Sequence, residues 1–285
     1  MISYKDFDLT EYNAYRIKSI CSKAYFPENE SDLFDILDQN KEKRFIIIGN
    51  GNNIILSKVY YDDEFIVFNG CLNKIRVYNN EIEAEAGATL FQLSETALLH
   101  NLSGLEIFYD IPGSVGGAVV MNAGTKDGEI KDALIKVRYL DLGDMQVKNM
   151  RKENINFEYR NSIFQKQPDK IILKVWFSLQ KGNPEEIRAK MEKNKELRWA
   201  KQPRDYPNCG SVFKRPSGIF VGPMLEQLDM KGFTIGGAKI SEKHSGFIIN
   251  IGNATGQDIL AVIAEAQKRV KAKFNIDLDV EQIII

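Results

Sequence analysis

The sequence carries its strongest structural signal in the run Ile111-Pro112-Gly113-Ser114-Val115-Gly116-Gly117-Ala118. A second glycine-rich run, Gly49-Asn50-Gly51-Asn52-Asn53, follows a strand-like segment. Because glycine tolerates positive φ and lets the backbone approach a ligand closely, successive N–H groups in such runs can converge on a phosphate. Two such runs in one chain suit a pyrophosphate. Tight turns between strands would explain the glycines equally well, so both interpretations stay open at this point.

The common glycine-rich and nucleophile motifs fit poorly. Ile54 stands where a dinucleotide-binding fingerprint has its third glycine, and the residues after it predict no helix. The chain has no Gly-Lys-Ser/Thr for a nucleotide-triphosphate loop. Pro112 replaces the first glycine of a nucleophile elbow. With two histidines in the chain, a Ser-His hydrolase is poorly supported.

Composition excludes several classes of protein. The 285 residues allow one large or two ordinary domains. The 38 Lys+Arg against 39 Asp+Glu give a net charge of −1, which excludes a globally basic nucleic-acid binder. The uncharged stretch 111–125 is too short to span a bilayer, and the N-terminus lacks the apolar core of a signal peptide. Three cysteines and two histidines are too few for a structural zinc site. We therefore expect a cytoplasmic protein that binds no metal, nucleic acid or membrane.

Local patterns predict mixed helices and strands. Capping residues and apolar periodicity predict helices that begin at Asn29, Thr89, Asn183 and Thr255, the first of which is predicted to end at Lys41. Strand-like runs lie at 45–48, 65–68, 74–78, 82–86, 135–140, 171–177, 246–251 and 283–285. Because the two kinds of element do not alternate regularly, they favour an α+β fold over a doubly wound sheet. The best boundary candidate is at 181–184, where a strand gives way to a charged helix.

A wider pattern covers nearly the whole chain. Its segments are 13–16, 49–53, 104–107, 111–118, 159–164, 210–216, 231–232, 236–238, 243–247 and 278–281. In this order they resemble the UDP-N-acetylmuramate dehydrogenase family, whose members are also called UDP-N-acetylenolpyruvoylglucosamine reductases. The short interval between Arg160 and Lys201 resembles the shorter branch of that family. The resemblance implies a two-lobed FAD-binding domain of the vanillyl-alcohol-oxidase type at 1–182 and a C-terminal α+β substrate-binding domain at 183–285.

The resemblance also implies an activity. It is the reduction of UDP-N-acetylglucosamine enolpyruvate to UDP-N-acetylmuramate with NADPH, in bacterial peptidoglycan precursor synthesis, by a monomer with noncovalent FAD. The flavin would deliver hydride to the methylene carbon, which leaves an enolate-like dianion on the substrate. Arg160 would offer a planar fork to the carboxylate, and Glu281 would stabilise the new charge only if it stays protonated. Ser211 would give the proton that completes the reaction.

Further residues are assigned by matching the family's motifs. The implied FAD-binding residues are Gly49, Asn50, Gly51, Asn52, Asn53, Ile111, Pro112, Gly113, Ser114, Gly116, Gly117, Asn122 and Gly124. The implied substrate-binding residues are Tyr159, Lys201 and Arg215. Lys201 would serve equally well as a cation on a helix surface.

Some residues depart from the family pattern. Asn52 stands where the family usually has serine, and Asp110 replaces a common glycine before the second run. These departures keep open the alternative of a flavin-binding module without catalysis. A second alternative is a flavin oxidase of the same fold with another substrate, although the set of Arg160, Ser211 and Glu281 argues against it. Cys209 is interpreted as a small residue that fills a turn rather than as a nucleophile, and His244 as a structural hydrogen-bonding residue.

Overall fold

The computed structural model describes residues 2–40, 43–216 and 219–285. The helices are α1 (Glu30–Gln39), α2 (Leu90–Leu99), α3 (Val115–Met121), α4 (Ile130–Ala133), α5 (Ile163–Lys166), α6 (Pro184–Lys201), α7 (Val221–Glu226) and α8 (Gly256–Phe274). The strands are β1 (Ile2–Asp8), β2 (Ile20–Phe26), β3 (Phe45–Ile48), β4 (Ile54–Ile55), β5 (Tyr60–Val67), β6 (Ile75–Tyr78), β7 (Glu81–Glu85), β8 (Leu102–Ser103), β9 (Gly124–Thr125), β10 (Gly128–Glu129), β11 (Leu134–Asp141), β12 (Gln146–Arg151), β13 (Lys170–Ser178), β14 (Gln180–Lys181), β15 (Thr234–Ile235), β16 (Ala238–Ile240), β17 (Ile248–Asn250) and β18 (Ile283–Ile284). Across the described residues, no helix combines the length and apolar character needed to cross a membrane.

The chain divides into two compact units, each built from several segments. The first comprises Met1–Ser3, Tyr25–Asn50 and Phe65–Leu197. The second comprises Tyr4–Ala24, Gly51–Glu64 and Arg198–Ile285. The predicted division into domains 1–182 and 183–285 stays a prediction.

The first unit is organised around an antiparallel sheet in the order β12-β11-β13-β7-β6. Val137 of β11 lies opposite Val175 of β13, and both are fully buried. Helix α2 begins at a capping box formed by Thr89 and Gln92, and it buries Leu90 and Leu93 in the same core. Full burial of each such side chain contributes about 1.5–3 kcal/mol.

The second unit combines the antiparallel sheet β15-β16-β17 with helix α8. Thr255 and Asp258 form the capping box of α8, and the helix buries Ile259, Val262 and Ala266 completely. Strand β18 pairs in parallel with β4. This pairing places the segment that precedes β18 beside the residues that precede β4.

The structure confirms the α+β prediction and the four predicted helix starts. Asn29 caps α1 by accepting a bond from the Asp32 N–H, although the predicted last residue of that helix, Lys41, lies outside the described residues. Helix α3 was not predicted because its first turn contains two glycines, which are poor helix formers. Strands β1, β2 and β12 were also missed. Strand β5 begins at Tyr60 rather than at 65. Its first half was not predicted because the acidic residues 62–64 have low strand propensity.

Candidate active site

Gly49 and Ser114 bring the two glycine-rich runs together within the first unit. A Cβ atom on Gly49 would overlap the Ser114 Oγ, so this approach requires glycine. In the described part of the chain, the N–H groups of Gly49, Asn50, Gly113 and Ser114 donate to no protein acceptor. These donors are available to the oxygens of a phosphate.

The second half of the run 111–118 has a different role. The Val115 N–H donates to the Ala88 carbonyl at 2.8 Å, and the Gly116 N–H donates to the Ala86 carbonyl at 2.8 Å. The Gly117 N–H donates to the Ser114 Oγ, which caps α3, at 3.2 Å. Because these three groups already have acceptors, the predicted backbone cradle is narrowed to Gly113 and Ser114. Residues 115 and 116 instead attach α3 to the chain segment after β7, and Gly117 takes part in the cap of α3.

Four buried amide oxygens in the first unit have no hydrogen-bond donor among the described residues, and two of them, the Oδ1 atoms of Asn50 and Asn122, belong to predicted cofactor-binding residues. Asn122 adopts a left-handed backbone with φ of 46°. Its Nδ2 donates to Glu129 Oε2 at 2.9 Å and to the Glu158 carbonyl at 3.0 Å. An unpaired buried acceptor costs about 1–3 kcal/mol, so a ligand that offers N–H or O–H donors would be stabilised here. FAD offers such donors on its ring system and its ribityl chain, and the residues therefore fit it.

Arg160 lies beside these groups. Its Nη2 donates to the Gly124 carbonyl at 2.7 Å, and its Nη1 donates to the Asn122 carbonyl at 3.3 Å. The guanidinium lies 5.1 Å from the centre of the Tyr159 ring. Only 16% of the Arg160 side chain is exposed, so the plane of its fork is fixed. The structure thus brings together four residues that the sequence predicted for different roles: Asn122, Gly124, Tyr159 and Arg160.

Sequence reasoning missed Glu129, which lies between these residues. Its Oε1 is 3.6 Å from Arg160 Nη1, and its Oε2 is 2.6 Å from Lys131 Nζ. Because Glu129 also accepts from Asn122, it links the catalytic candidate to a cofactor candidate. In the sequence, the only indication of a site at Glu129 is the glycine before it, Gly128. The capping box that Glu129 forms with Asp132 explains the same residues as the start of α4.

The second unit holds the remainder of the first glycine-rich run. Gly51 has φ of +66°, and a Cβ atom there would overlap the Tyr12 carbonyl. Asn53 was predicted to contact the cofactor. In the structure its Nδ2 donates to the Glu281 carbonyl at 3.2 Å, and its own carbonyl accepts from the Ile283 N–H at 2.9 Å. Asn53 therefore supports the segment that carries Glu281.

Ser211 and Glu281 lie on neighbouring segments of the second unit. The Glu281 N–H donates to the Val212 carbonyl at 2.8 Å. An isolated antiparallel bridge joins Phe213 to Val280, so the two segments run side by side. Ser211 is exposed and Glu281 is half-buried. A hydroxyl and a carboxyl group are thereby presented from one hydrogen-bonded pair of segments.

The interpretation of Cys209 and His244 is consistent with the geometry. Cys209 is buried, and its Sγ lies 3.3 Å from the Ile54 carbonyl oxygen. Burial raises the pKa of this thiol to about 12, so a thiolate nucleophile is strongly disfavoured. His244 Nδ1 accepts from the Gly246 N–H at 3.2 Å, and burial lowers the pKa of its ring, which favours the neutral acceptor form.

The two predicted substrate-binding cations, and the two residues that depart from the family pattern, lie at exposed or half-buried positions. Lys201 is the last residue of α6 and is exposed. Arg215 is exposed, and its guanidinium lies 4.5 Å from the centre of the Phe220 ring. Asn52 and Asp110 are both half-buried. No contact described within either unit joins Lys201 to Arg215.

The chain matches two family models. One, described as the C-terminal domain of UDP-N-acetylenolpyruvoylglucosamine reductase, matches residues 202–285, and the other, an FAD binding domain, matches residues 22–150. A relative named UDP-N-acetylenolpyruvoylglucosamine reductase from Francisella tularensis subsp. tularensis is 43% identical over 279 residues, which cover 97% of this chain and 98% of that protein. A relative of the same name from Caldanaerobacter subterraneus subsp. tengcongensis is 40% identical over 277 residues, covering 96% of this chain and 91% of that protein.

A solved structure gives the same result. The crystal structure of UDP-N-acetylenolpyruvylglucosamine reductase (MurB) from Thermus caldophilus matches with a TM-score of 0.82 at 28% identity. The match covers 99% of this chain and 98% of that one. Together with the family models, it confirms the predicted combination of an FAD-binding domain and a C-terminal domain.

Proposed function

The chain belongs to the UDP-N-acetylenolpyruvoylglucosamine reductase family, and from that premise we propose that Arg160, Ser211 and Glu281 are its catalytic residues. The enzyme is an FAD-containing, NADPH-dependent oxidoreductase of peptidoglycan precursor synthesis. It reduces UDP-N-acetylglucosamine enolpyruvate to UDP-N-acetylmuramate. We further propose that it acts in the cytoplasm as a monomer, with 1–182 as the FAD-binding domain and 183–285 as the substrate-binding domain.

The observation that carries the proposal is the hydrogen bond between the Glu281 N–H and the Val212 carbonyl, at 2.8 Å. It holds a proton donor and a carboxyl group on adjacent segments of the second unit. These are the two functions that an enolpyruvyl reduction requires besides hydride. Neither an oxidase nor a flavin carrier needs both, since neither produces a carbanion that must be protonated.

FAD is noncovalent in this proposal, and it supplies hydride transfer when bound. In the first unit, the N–H groups of 49–50 and 113–114 would donate to its phosphates, while Asn50 and Asn122 would accept from its polar groups. Ile111, Pro112, Gly116, Gly117 and Gly124 would line the same place. In the second unit, Gly51, Asn52 and Asn53 complete the assigned set.

Arg160 acts on the substrate carboxylate. Two backbone carbonyls fix the orientation of its guanidinium. A fixed cationic fork stabilises negative charge more effectively than a mobile one, because it needs no reorganisation as that charge develops. Tyr159, Lys201 and Arg215 are proposed to bind the rest of the substrate, whose diphosphate suits the two cations.

Ser211 and Glu281 act at the carbon that must be protonated and at the charge beside it. A serine hydroxyl is a weak acid, so it transfers a proton only to a strongly basic carbon and must be reprotonated afterwards. Glu281 assists as a protonated hydrogen-bond donor, since an ionised carboxylate would repel the dianion.

The test compares NADPH consumption by the purified holoenzyme with and without the enolpyruvyl sugar. Consumption that depends on the sugar, with one lactyl ether formed per NADPH, is the expected result. Consumption that depends on oxygen instead would identify a flavin oxidase. Bound FAD without turnover under either condition would identify a flavin-binding module.

A further inference from the structure

A buried glutamine lies directly behind the proposed proton donor. Gln282 is 4% exposed, and its Nε2 donates to the Cys209 carbonyl at 3.1 Å and to the Gly210 carbonyl at 3.4 Å. The Ser211 carbonyl is 3.5 Å from the same nitrogen. The turn is also held from its other side, where Ser211 forms an antiparallel bridge with Phe247 and the Val212 N–H donates to the Gly246 carbonyl at 3.0 Å. The Gln282 amide is the side chain that reaches all three consecutive carbonyls of the turn that carries Ser211.

A buried tyrosine fixes the orientation of that amide. The Tyr15 hydroxyl donates to Gln282 Oε1 at 2.9 Å, and the Tyr15 side chain has no exposed surface. Burial holds the pKa of Tyr15 well above its usual value, so the phenol keeps its proton and remains a donor. Because Oε1 accepts from Tyr15, Nε2 must face the carbonyls of 209–211. A flipped amide would set a carbonyl against carbonyls.

The Tyr15–Gln282 pair is also connected to the segment that carries the Glu281 carboxyl group. Gln282 follows Glu281 in the chain, and the Glu281 backbone is held by Val212 on one side and by Asn53 on the other. The Gln282 side chain thus links the Glu281 segment to the Ser211 segment at a second point. An apolar side chain of similar volume would fill the space without the cost of burying an amide. The hydrogen bonds of the buried amide go instead to the carbonyls of the turn.

We propose that Tyr15 and Gln282 are a positioning pair, which holds the Ser211 turn in register with Glu281 for proton delivery. Neither side chain touches the substrate in this assignment. Both act through the backbone of 209–211. The inference rests on the proposed function, since it assigns a task to residues that support the proposed donor.

The test uses Tyr15→Phe and Gln282→Met in the FAD-loaded enzyme. Tyr15→Phe removes one oxygen atom and keeps the ring, and Gln282→Met keeps the volume and removes the amide. Stopped-flow measurements separate flavin reduction by NADPH from reoxidation by the enolpyruvyl sugar. We expect reduction within about twofold of wild type and reoxidation slower by roughly 10- to 100-fold, the range that follows from about 1 Å of misplacement. The loss should fall on kcat more than on KM, because the substrate-binding groups are unchanged.

Tyr61→Phe is the matched control. Tyr61 is also a buried tyrosine of the second unit, and its hydroxyl donates to the Ile285 carbonyl at 2.7 Å. Backbone pairing of β18 with β4 retains the chain there without that hydroxyl. The melting temperature of the control should fall about as far as that of Tyr15→Phe, while its reoxidation rate should stay at the wild-type value. In addition, the double variant should be reoxidised about as slowly as Gln282→Met alone, since both substitutions disrupt the same hydrogen-bonded pair.

The outcomes are separable. Wild-type reoxidation rates in folded Tyr15→Phe would overturn the positioning role, even where Gln282→Met fails to fold. An equal slowing in Tyr61→Phe would also overturn it, because general loosening would then explain the effect. If the wild-type enzyme itself is not reoxidised by the enolpyruvyl sugar, the proposed function fails rather than the pair.

Discussion

Adding one methyl group to Gly116 tests how the second glycine-rich run is built. In Gly116→Ala the new Cβ would lie 2.9 Å from the Ala86 Cβ and 3.1 Å from the Ala86 carbonyl oxygen. Overpacking of this kind costs about 1–3 kcal/mol. The displaced helix α3 also weakens the 2.8 Å bond from the Gly116 N–H to Ala86, worth about 1 kcal/mol. Against this, alanine gains about 1 kcal/mol of helix propensity.

The net expectation is a loss of about 1–3 kcal/mol, or a fall in Tm of roughly 2–4 °C per kcal/mol. Gly117→Ala is the control: residue 117 is exposed, and its Cβ would lie 3.2 Å from the Ser114 Oγ, so it gains the same propensity with a smaller steric cost. Calorimetry of the two flavin-free proteins measures the difference. Equal Tm values for the two variants would refute the packing role assigned to this glycine.

Four further predictions concern the cofactor and the catalytic residues. Acid precipitation should release FAD into the supernatant, because binding is noncovalent; flavin that stays in the pellet, or FMN in the supernatant, would contradict this. Ser211→Ala should keep flavin reduction by NADPH and slow reoxidation by the enolpyruvyl sugar by at least about 10²-fold, the effect of losing a general acid; equal slowing of both half-reactions in stopped-flow traces would indicate a structural role. Arg160→Lys should lower the reoxidation rate although the charge is kept, because the planar fork is lost; a wild-type rate would exclude bidentate binding. Glu281→Gln should retain more activity than Glu281→Asp, because the amide N–H of Gln keeps a hydrogen-bond donor at the same distance while Asp withdraws its carboxyl group; an active Asp variant beside an inactive Gln variant would mean that Glu281 transfers a proton.

The candidate catalytic residues could be named from the sequence, whereas the residues that support them in the structure could not. Arg160 and Ser211 stand in segments whose local pattern is distinctive. Glu129 and Gln282 stand in segments that read as a helix cap and a strand end, and their roles depend on which distant groups the fold brings to them. Gln282 and Tyr15 are 267 positions apart, a relation that no local pattern carries. For the same reason glycine content predicted a backbone cradle over 111–118, but it could not show that Ala86 and Ala88 accept from residues 115 and 116.

The backbone conformation at Arg160 and Asn122 costs conformational free energy that other interactions must offset. Both adopt left-handed conformations, with φ of 53° and 46°. Asparagine tolerates this region because its side chain bonds locally, but for arginine the conformation costs about 1–2 kcal/mol, and glycine would avoid that cost. Glycine at 160 would also remove the two bonds that reach the carbonyls of Asn122 and Gly124. These bonds, at about 1–1.5 kcal/mol each, offset the strain, and the Glu129 carboxylate 3.6 Å from Nη1 adds to them. The fixed plane of the guanidinium therefore depends on both the unusual backbone and the carbonyls that hold it.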